Sequence, residues 1–251
     1  LGASTASIEA SGREVLPLLC SSLRWHQGEV FAVHLDGRRI ISWKPGDPAS
    51  RVRPVAGEGA AVTGINDLGI EFLLSISPSG EVFVADWKNR RLLRFQNGSG
   101  DLVVGNADAT AVFYSPSGVL YVVSQRARTV QKLVGSTLET VIASESLQAD
   151  KQFKARRVFV TKEEVIYLLD TLNETHRVLC INPGESLEPV VVGQIRTEGR
   201  SFLTDLFATD SGTIYVAEQH QRKVFAFHPG SPTFTEVLKC PDGLHPVALL
   251  V

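Results

Sequence analysis

An aromatic-centred strand recurs five times in this chain of 251 residues, and that recurrence limits the available folds more than any other feature of the sequence. The five segments are 28–34, 80–86, 118–124, 164–170 and 212–218, with the shared aromatic at Phe31, Phe83, Tyr121, Tyr167 and Tyr215. Successive aromatics stand 52, 38, 46 and 48 residues apart. That spacing is close to the ~40–50 residues of a propeller blade and too long and too strand-rich for leucine-rich or helical repeats. Each aromatic strand leads through a short polar turn into a second apolar strand, as in 86–95 and 218–227. Alternating apolar and polar positions on either side of such a turn describe a half-buried hairpin. A further strand follows in each unit, at 52–56, 101–104, 139–143, 189–192 and 235–238.

Ahead of each aromatic strand lies a short segment of small and apolar residues: 17–22, 72–77, 111–115, 157–161 and 204–209. Three of these end in a turn of one pattern, Ser77-Pro78-Ser79-Gly80, Ser115-Pro116-Ser117-Gly118 and Thr209-Asp210-Ser211-Gly212. Proline and glycine fall there where a β-turn favours them. Four antiparallel strands per repeat, the first suited to a crowded axis, make a blade.

The sequence thus predicts an all-β fold, a single β-propeller domain over 1–251 of four-stranded antiparallel blades, roughly 15–57, 70–105, 110–144, 155–195 and 202–240. A sixth short apolar strand at 246–251 has no aromatic strand after it. The expectation is a six-bladed plan whose closing blade is incomplete or truncated, assembled from 1–14 and 241–251 with 5–10 as its outermost strand.

Residues 82–95 read Val-Phe-Val-Ala-Asp-Trp-Lys-Asn-Arg-Arg-Leu-Leu-Arg-Phe. This resembles the NHL repeat, whose pattern is an aromatic strand, Val-Ala-Asp, an Asn-His-Arg turn and an apolar strand. Asp170 and Glu218 keep an acid at the point matching Asp86, whereas His34 and Ser124 depart from the pattern. The resemblance implies a six-bladed propeller, used by most members as an interaction platform and by a minority as an enzyme. A shared fold does not fix a function, which has to be read from the site.

Charge narrows the partners. The formal net charge is −2, so no overall field draws nucleic acid or an anionic membrane. Arg38, Arg39, Arg90, Arg91, Arg126, Arg128, Arg222 and Lys223 recur in the hairpins, but acids share the same turns. Nucleic acid is therefore not an expected partner. No apolar run approaches the ~20 residues of a membrane-spanning helix. Cys20, Cys180 and Cys240 are odd in number and lack zinc-type spacing, which predicts buried free thiols. The chain has no methionine, which points to a processed chain and favours an organellar or secretory protein over other compartments. The sequons at Asn97 and Asn173 would carry glycan only in a secretory compartment.

The hairpin acids Asp86, Asp170 and Glu218, each followed by arginine, lysine or histidine, are expected to cap their turns and pair across the hairpin. Recurrence in blade after blade suits a structural role. Trp87 is the turn aromatic able to stack on a partner, and Arg51 and Arg53 lie in the long first interblade loop, 44–69. These three are the candidate partner contacts.

Residues entering the inner strands are expected around one mouth of the axial channel: Glu71, Arg156, Asp205, Asp242 and His245, with Asn66 and Asp67 nearby. A propeller hydrolase or lyase would hold calcium there, which needs several converging oxygens. The acids are opposed by Arg156 and Arg157, so no catalytic residue, metal site or cofactor is predicted. No glycine-rich phosphate loop and no sequence-adjacent Ser-His-Asp arrangement is present. The expected function is a non-catalytic protein-interaction or scaffolding module, a subunit or domain of a larger assembly whose partners are other protein chains. The alternative is a divalent-metal-dependent hydrolase or lyase using calcium at the channel mouth. It requires Glu71 and Asp205 to converge with Asn66, Asp67, Asp242 or His245, and it fails if Arg156 or Arg157 occupies that space.

Overall fold

The computed structural model describes residues 20–34, 38–46, 52–57, 65, 67–69, 72–143, 154–172, 175–182, 184, 186–195, 203–231 and 233–241. They form five antiparallel sheets, each of four strands in chain order. Blade 1 is β1 (Cys20–His26), β2 (Glu29–His34), β3 (Arg39–Trp43) and β4 (Arg53–Gly57). Blade 2 is β5 (Leu73–Ile76), β6 (Val82–Asp86), β7 (Arg91–Gln96) and β8 (Ser99–Gly105). Blade 3 is β9 (Ala111–Tyr114), β10 (Leu120–Ser124), β11 (Thr129–Val134) and β12 (Thr137–Ala143). Blade 4 is β13 (Ala155–Val160), β14 (Ile166–Leu172), β15 (Thr175–Asn182) and β16 (Ser186–Ile195). Blade 5 is β17 (Leu203–Ala208), β18 (Ile214–Glu218), β19 (Lys223–Phe227) and β20 (Thr235–Lys239).

The blades pack face to face, which explains why their second strands are apolar throughout rather than alternating. All five residues of β6 and of β10 are buried. Side chains of a strand point alternately to its two faces, so Val82 and Val84 join the cluster against blade 1 while Phe83 and Ala85 join the cluster against blade 3. Further clusters fill the interfaces of blades 3 and 4 and of blades 4 and 5. The outermost strands face water on one side; every residue of β20 is exposed.

The inner strands meet in chain order, β1 on β5, β5 on β9, β9 on β13 and β13 on β17. Buried hydroxyls stitch the first two of these seams. Ser22 Oγ accepts from the Leu74 amide at 3.1 Å, and Ser75 Oγ accepts from the Tyr114 amide at 2.8 Å. Later seams use rings instead: Phe113 packs on Phe159 with centroids 4.9 Å apart, and Phe159 on Phe207 at 5.1 Å.

The turn leading into each second strand is built alike in blades 2 to 5. The hydroxyl of Ser77, Ser115, Thr161 or Thr209 accepts the amide four residues on, at 3.0–3.2 Å. The third residue beyond it returns a backbone bond and holds positive φ, as Gly80, Gly118, Glu164 and Gly212. Blade 1 instead turns on Gln27 and Gly28, both at positive φ. A two-residue hairpin turn of that kind matches the twist of its strands, so β1 continues to His26 and extends beyond the 17–22 expected from the sequence.

The six-bladed expectation is corrected: the described residues build five blades. Of the stretches assigned to a sixth, 1–14 and 241–251, all but Pro241 lie outside the described residues. Among the described residues no helix is long and apolar enough to cross a membrane.

Candidate functional site in the channel

The hairpin acids are structural, as their recurrence suggested. Asp86 and Glu218 close β6 and β18, Asp170 lies two residues before the end of β14, and all three are fully buried. Asp86 accepts from the Gly69 amide at 3.1 Å through Oδ1, and from Asn89 at 2.9 Å and Arg91 Nε at 2.8 Å through Oδ2. Asp170 repeats this with the Lys154 amide and Arg177 Nε, both at 2.6 Å. Each carboxylate thus ties the entry to its own inner strand to the start of its third strand. Gly69 is required by that approach, since a Cβ there would stand 2.5 Å from Asp86 Oδ1. Glu218, one methylene longer, turns back onto the amides of His220, at 3.2 Å, and Gln221. In blade 3 Ser124 takes the acid's place and donates to Asp108 at 3.0 Å.

A second charged group lies on the inner strands. Arg24 of β1 donates through Nη1 to Asp205 Oδ2 of β17 at 3.3 Å, joining blade 1 to blade 5. The Asp205 side chain is only 6% exposed and that of Arg24 20%. Arg157 of β13 sits beside them, its Nε donating to the Thr204 carbonyl at 2.6 Å and its Nη1 to the Arg156 carbonyl at 2.9 Å. Burial lowers the Arg157 guanidinium to about 10; nearby Asp205 opposes the shift, while Arg24 and Arg156 add to it. Among the described residues, Asp205 thus pairs directly with Arg24 and acts on the buried Arg157 through space.

Of the five channel-mouth candidates, Glu71, Asp242 and His245 lie outside the described residues, as does Asn66. Arg156 and Asp205 are described, and both belong to inner strands rather than to the loops ahead of them. A β-bulge at the start of each strand accounts for the shift: pairing slips between Ala155 and Arg157 and between Leu203 and Asp205. Among the described residues Asp205 meets the Arg24 guanidinium. Among the described residues no three His, Cys, Asp or Glu side chains are gathered as a metal would need.

The partner-contact candidates are dispersed. Trp87, 38% exposed, sits in a single 3₁₀ turn at 87–89. Arg53 is exposed on β4 and pairs with Glu29, and Arg51 lies outside the described residues. Sequence reasoning passed over two residues. Arg24 carries no signal, because its partner is 181 positions away. Trp25, 52% exposed on β1, points away from the face on which His26 meets Gly80 of blade 2. Cys180 and Cys240 are unbridged and half-buried rather than buried. Asn97, at φ 50 in the exposed turn between β7 and β8, is the described one of the two sequon asparagines.

No protein-family model matches the chain, and no curated protein sequence matches it. Solved structures do. One chain of a nidogen/laminin complex aligns with a TM-score of 0.63 at 13% identity, over 89% of this chain and 87% of that one. Virginiamycin B lyase from Staphylococcus aureus aligns with a TM-score of 0.60 at 12% identity, over 91% and 73%. A calcium-binding protein, regucalcin, from Agrobacterium tumefaciens aligns with a TM-score of 0.58 at 13% identity, over 87% and 74%. At these identities the likeness shows the fold alone: this chain is a β-propeller.

Proposed function

We propose that this chain is a protein-binding propeller of NHL type, a platform within a larger assembly rather than a metal-dependent enzyme. The observation that carries this reading is the Arg24–Asp205 pair with Arg157 beside it. A carboxylate engaged by guanidinium is not offered to a divalent cation, which needs several hard oxygens turned on one point. The rigid ring around this pair presents a broad surface on which a second chain can be read. A neighbour in fold is one chain of a nidogen/laminin complex, in keeping with such use.

The second reading is a lyase or hydrolase at the channel. It is favoured by the neighbours themselves, since one is a lyase and another binds calcium. Affinity capture of the full protein from its native source, with mass spectrometry and metal analysis on the same eluate, separates the two. Stoichiometric protein partners without bound metal support the platform. A monomer carrying about one equivalent of calcium or zinc would replace it with the enzyme.

A further inference from the structure

Arg24 and Arg157 carry more donors than the described protein absorbs. A guanidinium has five N–H groups and no acceptor. Arg24 spends Nη1 on the Leu23 carbonyl and on Asp205, and Arg157 spends Nε and one Nη1 proton on carbonyls. The Nε and Nη2 of Arg24 and the Nη2 of Arg157 have no acceptor among the described residues. Among the described residues one carboxylate, Asp205, stands against the two cations.

The same strand faces carry rings. Beyond the bulges, β13 and β17 pair regularly with β14 and β18, so side chains two residues apart share a face. Phe159 therefore lies on the face of Arg157, and Phe207 on the face of Asp205. Their rings touch, 5.1 Å between centroids, and both residues remain half-buried. One step of two residues along a strand, about 6.5 Å, separates the charged level from the apolar one.

We propose that this part of the channel is a carboxylate-recognition site, in which Arg24 and Arg157 hold the carboxylate of a ligand whose apolar body rests on Phe159 and Phe207. The proposal deepens the platform reading, on which it rests, by naming the end of a partner chain that fits: a free C-terminus after an apolar residue. A small aromatic carboxylate offers the same chemistry from another source. Planar guanidinium forks suit such a group because they bind it through paired, charge-assisted hydrogen bonds. Asp205 occupies part of this site as an internal competitor.

Fluorescence anisotropy with a labelled hexapeptide ending in Leu-Phe, as free acid and as C-terminal amide, tests this on the full chain, with 3-phenylpropionate as competitor. The acid is expected to bind at least about tenfold more tightly than the amide, as befits a charge-assisted pair. Arg24→Gln and Arg157→Gln each weaken the acid by a similar factor. Asp205→Asn, in contrast, tightens it several-fold, a gain that misfolding cannot produce. Equal binding of acid and amide, or no binding of the peptide or of 3-phenylpropionate at millimolar concentration, would overturn the site. Peptide binding that ignores Arg24→Gln and Asp205→Asn would also overturn it while leaving the platform standing. Binding of 3-phenylpropionate alone, lost in Arg24→Gln, supports the site and sinks the platform reading.

Discussion

Asp86 is a carboxyl side chain with no exposure, bonded by three donors, one of them an arginine. Removing the acid strands the buried Gly69 amide and unpairs the half-buried Arg91, at a cost of about 1–3 kcal/mol. Asp86→Ala should therefore lower the unfolding free energy by that order in urea titration, whereas alanine at the exposed Glu236 should change it by less than about 0.5 kcal/mol. His176 offers a pH-dependent counterpart. It is buried, bonded to Thr171 at 3.0 Å, and its pKa is lowered first by burial and then by Arg156, with Glu218 opposing. The unfolded chain then takes up the proton that the folded one refuses, so His176 contributes stability above its unfolded pKa of about 6.5 that is lost as pH falls toward its lowered folded value. The slope of stability between pH 7.5 and pH 5.5 should be shallower in His176→Asn than in the wild type. Identical slopes would show that the imidazole titrates alike in both states.

Turns show at the scale of the element how much was legible in the sequence. Ser-Pro-Ser-Gly and Thr-Asp-Ser-Gly announced their hydroxyl-capped form because glycine sits where φ is positive. Blade 4 uses the same turn with Glu164 at φ 64, a conformation that L-residues hold at a cost of about 1–2 kcal/mol. Part of that gain would be offset by the greater freedom of glycine in the unfolded chain. Glu164→Gly should thus raise stability by about 0.5 kcal/mol, read as a higher melting temperature, even though the bond from Ser117 is lost. Arg38, Arg90, Arg128 and Arg222 hold the same left-handed position before their third strands, where asparagine or glycine would have signalled the turn. Nothing in the residue type revealed that conformation. The bulges that carry Arg157 and Asp205 into the inner strands were hidden for the same reason, since a slip in register leaves no mark on local composition.

Across the whole molecule, the repeat made the blades readable, but the channel depends on residues that meet only when the ring is built. Arg24 and Asp205 are the clearest case. Blades 2, 3 and 4 press mainly on their two neighbours, so the fold behaves as a short array in which interface strength travels one step at a time. Phe159 is the ring shared by two seams, packed on Phe113 of blade 3 and on Phe207 of blade 5. Truncation to alanine removes both contacts and leaves a cavity at the inner rim of blade 4, at a cost of about 2–4 kcal/mol for a half-buried aromatic. Hydrogen exchange should register this locally. In Phe159→Ala, amides of β9, β13 and β17 should lose protection, while those of β2 and β3 keep it, because the inner strand of blade 1 packs on β5 and reaches β13 by way of β5 and β9. Equal loss in all five blades would mean that the propeller opens as one cooperative unit, and that the ring contacts at Phe159 set the stability of the whole rather than of its own neighbourhood.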